Sequence, residues 1–128
     1  MNVETIGRMV CSAVALMMLG GTSGVRAGGP QETDLAAGGR HVLAVRGGAL
    51  LAAGSHDSGQ LGHPGLPVTN LTSLVTTPAP RDRLAWKVVA AGWRHSVAIA
   101  ADGTLWACGR NLDGQLGDGT LDNCSYWR

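Results

Sequence analysis

The stretch VVAAGWRHSVAIAADGTLWACGRNLDGQLGDGT, residues 88–120, decides the fold, because an earlier part of the chain repeats its pattern. The earlier copy, AAGGRHVLAVRGGALLAAGSHDSGQLG at residues 36–62, keeps the Ala-Ala-Gly start, the Arg-His pair and the Gly-Gln-Leu-Gly end. A recurring unit of this length is typical of solenoids, propellers and repeat arrays. Residues that recur with a unit usually build it, so we predict structural rather than catalytic roles for them.

Each unit has the pattern of short strands joined by glycine-rich turns. In the second unit, Asp102-Gly103 stands between two apolar runs, which is the strong signal for a tight hairpin. The first unit has Gly47-Gly48 at the same place. Prolines between the units rule out a long helix there. The apolar runs predict an all-β chain of antiparallel sheets, with strands at residues 41–46, 49–53, 71–77, 86–91, 95–100 and 104–108.

The N-terminus differs from the repeats and has the pattern of a secretory signal. Arg8 precedes an apolar, uncharged run at residues 9–19, and Val25-Arg26-Ala27 is a small-x-small cleavage pattern. The run is too short to span a bilayer comfortably. We therefore expect a helical signal peptide at residues 1–27, a periplasmic or extracellular location after cleavage, and no stable membrane span.

The charge balance argues against one class of partner. The chain has 10 Lys and Arg against 9 Asp and Glu, a formal net charge of +1, without a basic patch. Nucleic-acid binding depends on clustered positive charge. We therefore expect no nucleic-acid partner.

Two cysteines, Cys108 and Cys124, lie beyond the predicted signal. An exported chain can pair them, but one pair is too few to define a disulfide framework. The pattern favours a buried Cys108 inside a strand and an exposed Cys124 near the C-terminus. Whether they pair is left open by the sequence.

The ordered pattern of residues 88–120 resembles one repeat of the regulator of chromosome condensation family, and residues 36–65 resemble the same repeat more weakly. The weaker copy has Gly39 where the stronger one has Trp93. The resemblance implies a seven-bladed β-propeller in which each blade is a four-stranded sheet. It divides the chain into repeats at residues 34–65 and 86–120, a connector at residues 66–85 and a discordant tail at residues 121–128.

Two units are fewer than a propeller needs, because each blade buries its faces against its neighbours. The sequence therefore predicts an incomplete propeller of about two blades. Such a chain is either part of a longer protein, which is the favoured interpretation, or it completes a ring with other chains. A third interpretation is a product that does not fold alone and has no independent function.

The recurring residues are interpreted as builders of the blade. His41 and His95 hold the same position in successive units, so we expect them to make hydrogen bonds rather than to share a metal. The glycines of the two Gly-Gln-Leu-Gly loops permit positive φ, and the leucines can point inward. The predicted structural residues are His41, Gly54, Gly59, Gln60, Leu61, Gly62, His95, Asp102, Gly103, Gly109, Gly114, Gln115, Leu116 and Gly117.

The sequence predicts no catalytic, metal or cofactor site. His56, Asp57 and His63 are three ligand-type residues in one loop, but they lack the helical spacing of a zinc hydrolase and a fourth ligand. The Gly-Gln-Leu-Gly loops have no Lys-Ser/Thr pair and so are not phosphate loops. A metal hydrolase is therefore the least favoured class.

The leading hypothesis is a non-enzymatic module that binds a protein partner through its propeller loops. The candidate partner-binding residues are Trp93, Arg110 and Asn111. An exposed tryptophan can anchor an interface, although Trp93 can instead pack between blades. The resemblance adds two narrower alternatives, an inhibitor-like protein acting on a secreted enzyme and a regulator similar to guanine-nucleotide exchange factors.

Overall fold

The computed structural model describes residues 25–27, 33–66 and 70–128. Within these ranges the chain forms eight β-strands and no helix, so the all-β prediction is confirmed. The helix predicted for residues 9–19 lies outside the described residues. Residues 25–27, the predicted end of the signal peptide, form a strand, and cleavage there stays a prediction. In the described part of the chain, no helix has the length and apolar character needed to cross a membrane.

Five strands form the first sheet as an antiparallel meander in chain order. A two-residue turn joins the third strand to the fourth, and its residues, Gly47 and Gly48, have φ values of 56° and 79°. Positive φ at both positions matches the twist of a tight hairpin. The last strand is the one predicted within the connector. The strands are β1 (Val25–Ala27), β2 (Thr33–Ala37), β3 (His41–Arg46), β4 (Ala49–Ser55) and β5 (Asn70–Thr76).

Three strands form the second sheet, β6 (Trp86–Ala91), β7 (His95–Ala100) and β8 (Leu105–Gly109). The turn between β7 and β8 is held by Asp102, whose carboxylate accepts hydrogen bonds from the Thr104 amide at 3.0 Å and the Thr104 hydroxyl at 2.6 Å. These hydrogen bonds lower the pKa of Asp102. The carboxylate also pairs with Arg81 from the connector.

The tail at residues 121–128 completes the second sheet. Cys124 bridges Gly109 of β8, and the two residues exchange backbone hydrogen bonds of 2.7 and 2.9 Å. Ala107 and Arg128 exchange a second pair of 2.9 and 3.1 Å. The sequence analysis set this segment apart as discordant, whereas the structure makes it the edge of the second sheet.

The first sheet shows which element the tail replaces. There Gly54, the repeat counterpart of Gly109, pairs with Leu71 of β5. Cys124 thus takes the position that Leu71 holds in the other repeat. The prediction that Cys124 is exposed is wrong, since only 2% of its surface is accessible. Cys108 is buried as expected, and burial raises the pKa of its thiol; both thiols are free.

The main core lies between the two sheets. Alternation along β3 places His41, Leu43 and Val45 on the face that meets the second sheet. Leu43 is 0% and Val45 is 2% exposed. Burying one such side chain stabilises the fold by about 1.5–3 kcal/mol. The buried residues of this core are Ala36, Leu43, Val45, Leu50, Ala52, Leu61, Trp86, Val89, Ala98, Ala100, Cys108 and Trp127.

Two glycines have the same conformation at equivalent places, Gly54 next to the end of β4 and Gly109 at the end of β8. Gly54 has a φ of 104° and Gly109 a φ of 110°. A side chain at either position would collide with a backbone carbonyl, that of Arg40 or of Arg94. Each of these carbonyls accepts a 2.8 Å hydrogen bond from the residue after the glycine. The recurrence of glycine here therefore has a steric cause.

Replacing Trp127 with alanine should destabilise the fold by about 3–5 kcal/mol. The side chain is 3% exposed, and its ring lies 5.1 Å from the ring of Trp86. Chemical denaturation of the variant measures the loss. The matched control is Tyr126→Ala, because Tyr126 is 52% exposed and should change the free energy of unfolding by no more than about 0.5 kcal/mol. Equal losses in both variants would mean that the tail is not part of the second sheet.

Candidate protein-binding face

A buried chain of hydrogen bonds joins the two repeats and fixes the loops above them. The Ser96 hydroxyl donates to the Gln60 carbonyl at 2.6 Å, and His41 Nε2 lies 2.8 Å from the Ser96 oxygen. Because the hydroxyl proton is directed to Gln60, His41 Nε2 must be the donor to Ser96. All three residues are at most 2% exposed.

This arrangement keeps His41 neutral. Its Nδ1 atom is buried and has no hydrogen-bond partner among the described residues. Burial, and second the positive charge of His95, lower the pKa of His41 to about 4. Protonation of this ring therefore opposes folding, and the stability that the neutral form contributes is lost as the pH falls from about 6.5 towards 4.

Three hydrogen bonds donated by backbone amides also join the two sheets. These link residues on strands β2 and β6 and the turns beside them. The bonds are Val89 N–H to the Asp34 carboxylate at 2.7 Å, Trp86 N–H to the Gly48 carbonyl at 2.9 Å and Gly39 N–H to the Gly92 carbonyl at 3.2 Å.

The first Gly-Gln-Leu-Gly loop is closed by its own side chains. The Gln60 carboxamide accepts from the Ser58 amide at 2.9 Å and donates to Asp57 at 3.0 Å. The Leu61 amide donates to His56 Nδ1 at 3.3 Å. Gln60 and Leu61 are both fully buried beneath the second sheet and the tail.

The second Gly-Gln-Leu-Gly loop makes equivalent hydrogen bonds but is less buried than the first. The Gln115 carboxamide accepts from the Asp113 amide at 3.0 Å, and Asn111 Oδ1 accepts from the Leu116 amide at 2.9 Å. Asn111 thus accepts the hydrogen bond whose counterpart in the first loop is accepted by His56. Leu116, however, is only half-buried. The equivalent hydrogen bonds show that the loop conformation is local, whereas the burial of its leucine depends on the neighbouring sheet.

Trp93 combines the two roles that the sequence left open, a contact between the repeats and an exposed surface. Its indole rests on the backbone of Gly39 in the first repeat, at a distance that leaves no room for a side chain there. Yet 68% of its surface is exposed. One side of the ring therefore packs against the first repeat, and the other side is exposed to solvent.

The loops beside this tryptophan carry charged side chains. Arg94 pairs with Asp57 across the repeats at 3.5 Å, and Arg110 pairs with Asp113 at 3.5 Å. Asp57 has a lowered pKa, first because Gln60 donates a hydrogen bond to it and also because of the nearby arginine charges. We call the surface formed by Arg40, Asp57, Trp93, Arg94 and Arg110 the loop face.

Asn111 does not belong to this face, contrary to the sequence prediction. It is fully buried, and its amide donates to Asp118 at 3.1 Å and to the Thr120 carbonyl at 2.9 Å. Arg110 is partly exposed and remains on the face. The short polar side chain of Asn111 closes the loop and is not accessible to a partner.

The three ligand-type residues of the first loop, His56, Asp57 and His63, do not come together as a set of metal ligands in the described part of the chain. His56 accepts a hydrogen bond from its own loop, and burial lowers its pKa. Within the described ranges, no three His, Cys, Asp or Glu side chains come together in a way that could hold a metal ion.

Sequence reasoning missed the partner of Ser96. Adjacent positions of a strand point to opposite faces, so Ser96 and its neighbour His95 point away from each other. The structure pairs Ser96 with His41 of the preceding repeat. No local pattern marks this contact, because it joins residues of different sheets.

The repeat geometry matches a known family. The profile of the regulator of chromosome condensation (RCC1) repeat matches residues 86–115. The chain carries RCC1 repeats. It is 37% identical to the ultraviolet-B receptor UVR8 of Arabidopsis thaliana, over 77% of this chain and 22% of that protein. It is 31% identical to the human X-linked retinitis pigmentosa GTPase regulator, over 77% of this chain and 10% of that protein.

Solved structures have the same arrangement of sheets over the part that this chain covers. Human WBSCR16 superposes with a TM-score of 0.63 and 25% identity, over 77% of this chain and 26% of that structure. Prp20p of Saccharomyces cerevisiae superposes with a TM-score of 0.62 and 27% identity, over 80% of this chain and 26% of that structure. The two sheets are therefore propeller blades. The chain spans about a quarter of these two solved structures, and 22% and 10% of the two relatives named before them.

The two Gly-Gln-Leu-Gly loops make a matched pair for mutation. Leu61→Ala should cost about 2–5 kcal/mol, because it empties a fully buried site. Leu116→Ala should cost clearly less, because Leu116 is half-buried and its removal leaves a smaller cavity. Denaturant unfolding of both variants gives the comparison. An equal loss at the two positions would show that burial by the neighbouring blade does not determine the role of the leucine.

Proposed function

We propose that this chain is a non-catalytic protein-interaction module and that its partner binds the loop face. The observation that carries the proposal is the exposed indole of Trp93, seated on Gly39, with Arg94 and Arg40 next in sequence to these two residues. Tryptophan and arginine are the residues that most often dominate the energy of protein interfaces. A tryptophan held in place by backbone contacts also loses little conformational entropy on binding.

The charge of the loop face favours a partner with acidic groups. Arg40, Arg94 and Arg110 exceed Asp57 and Asp113 in number, and both of the aspartates are already paired within the chain. A partner carboxylate near Arg94 or Arg110 would compete with these exposed pairs, which are worth little on their own. Such rim charges affect the rate of association and its salt dependence more than the final affinity.

The relatives support a protein partner of some kind. The structure of Prp20p is reported with binding to Gsp1p and histones, and yeast RCC1 has been solved bound to Kap60. These partners belong to those proteins. For this chain, regulation of a GTPase and inhibition of a secreted enzyme are narrower proposals. An exported location, which rests on residues 9–27, is also a proposal.

Trp93→Ala should remove binding while leaving the blades folded, because the lost side chain is mostly exposed. The immobilised chain is exposed to the proteins of the compartment in which it occurs, and the proteins retained by wild type and variant are compared quantitatively. We expect Trp93→Ala to lose a defined protein at least about tenfold, equivalent to 1.4 kcal/mol.

The matched control is Leu121→Ala, since Leu121 is 62% exposed but lies outside the loop face. This variant should retain the same protein as the wild type. Retention of identical proteins by wild type, Trp93→Ala and Arg110→Ala would contradict the proposal.

A further inference from the structure

The connector between the two blades is fixed at both ends and exposed in the middle. At its start, the Thr77 amide donates to the Leu50 carbonyl at 2.8 Å. At its end, the Trp86 amide donates to the Gly48 carbonyl at 2.9 Å. Thr77 and Trp86 are each 3% exposed. Residues 78–83 between them are all exposed. The connector therefore crosses from blade to blade as an external segment.

Few backbone hydrogen bonds hold this exposed segment. Its two prolines have no N–H to donate. In the described chain, residues 78–84 make one backbone hydrogen bond, from the Leu84 amide to the Arg81 carbonyl at 3.4 Å. Arg83 lies inside this turn with a φ of 60°. That left-handed conformation is unfavourable for a residue with a side chain, and glycine usually occupies it. Local opening of the connector therefore breaks few contacts and relieves backbone strain.

The two arginines of the connector differ in their contacts. The Arg81 guanidinium pairs with the Asp102 carboxylate and lies 5.7 Å from the centre of the Trp106 ring. Its Nη2 atom is 3.5 Å from the Thr104 hydroxyl. The Arg83 side chain is exposed and has no hydrogen bond, ion pair or ring contact among the described residues. Arg81 is thus held against the second blade, whereas Arg83 is accessible.

The other basic residues have more backbone support. Some lie within strands, and others make backbone hydrogen bonds to a different element, as the Arg40 carbonyl does in accepting from the Ser55 amide at 2.8 Å. In the described chain these residues are Arg26, Arg40, Arg46, Lys87, Arg94, Arg110 and Arg128. An endopeptidase binds its substrate segment in an extended form, so cleavage needs local opening of the chain. The peptide bond after Arg83 is therefore the one that such an enzyme reaches most easily.

We propose that the connector is a site of limited proteolysis, cut after Arg83 by an arginine-specific endopeptidase of the serine-protease class. Exposed segments outside the packed elements are the preferred sites of proteolytic cleavage. The free guanidinium of Arg83 fits the acidic specificity pocket of such an enzyme. Water hydrolyses the amide bond between the Arg83 carbonyl carbon and the Leu84 nitrogen. Arg83 then ends in a carboxylate, and the Leu84 nitrogen becomes an ammonium group.

The cut leaves the two blades in contact. The core between the sheets and the link from His41 through Ser96 to the Gln60 carbonyl hold them together, and neither passes through the connector. Cleavage therefore converts one chain into a two-part assembly whose halves are joined by non-covalent contacts alone. The loop face is formed by both blades, so its integrity then depends on a contact that can dissociate. The cleavage itself does not depend on what the loop face binds.

The test uses the full 128-residue chain, with trypsin as the probe. The native chain is treated with a trace of the protease, and the products are followed over time by mass spectrometry. Within residues 33–128, the bond after Arg83 should be cut first, at least about tenfold faster than any other, because the rate follows the population of the opened segment. The two pieces should elute together in size-exclusion chromatography and separate only in denaturant.

Two variants and a control test why Arg83 is the site. Arg83→Gln should remove the first cut and leave thermal unfolding unchanged, since this side chain has no partner in the described chain. Asp102→Asn removes the charge that pairs with Arg81 but keeps an oxygen for the Thr104 amide. It should speed the cut after Arg81 about two- to fivefold, the effect of one exposed ion pair. The matched control is Asp113→Asn, which removes an exposed carboxylate paired with a different arginine and should leave that rate unchanged.

Three results would overturn the proposal. The first is cleavage within residues 33–128 that begins at a bond other than that after Arg83, or at many bonds at equal rates, as in a chain that does not fold. The second is separation of the two pieces in native buffer as soon as they form. The third is an equal rate of cutting after Arg81 in Asp102→Asn and Asp113→Asn. None of these measurements involves a partner of the loop face, so their outcome is independent of the proposed function.

Discussion

The hydrogen-bonded link from His41 through Ser96 to the Gln60 carbonyl is the interaction on which the rest of the structure depends. It connects a strand of the first blade, a strand of the second blade and the Gly-Gln-Leu-Gly loop between them. All three groups are buried, where an unpaired polar atom costs about 1–3 kcal/mol. The link therefore favours one relative placement of the two blades over any other.

The placement of the blades decides which surfaces the chain offers. Because the first Gly-Gln-Leu-Gly loop is held against the second blade, the indole of Trp93 contacts Gly39, and Arg94 pairs with Asp57 of the other repeat. Neither contact exists within a single repeat. The loop face is thus a product of the packing of two blades, although each of its residues belongs to a local turn.

The sequence predicts the parts of this structure that depend on local rules. Alternating apolar residues and the Gly47-Gly48 and Asp102-Gly103 turns predict the hairpins, and the repeat predicts the family. Contacts between repeats could not be predicted, because no spacing marks Ser96 as the partner of His41. The pairing of the tail could not be predicted for a similar reason: Cys124 bears no resemblance to Leu71, yet backbone pairing with a glycine accepts either side chain. Asn111 was misjudged because a polar loop residue can bond within its loop or face solvent, and only the folded loop distinguishes these.

A double-mutant cycle between His41 and Ser96 tests the central claim most directly. The free energies of unfolding of the wild type, His41→Ala, Ser96→Ala and the double variant give the coupling between two residues of different blades. We predict a coupling of about 1 kcal/mol or more, because either single change already breaks the link. Strictly additive losses would show that the two blades are placed by apolar packing alone and would contradict this account.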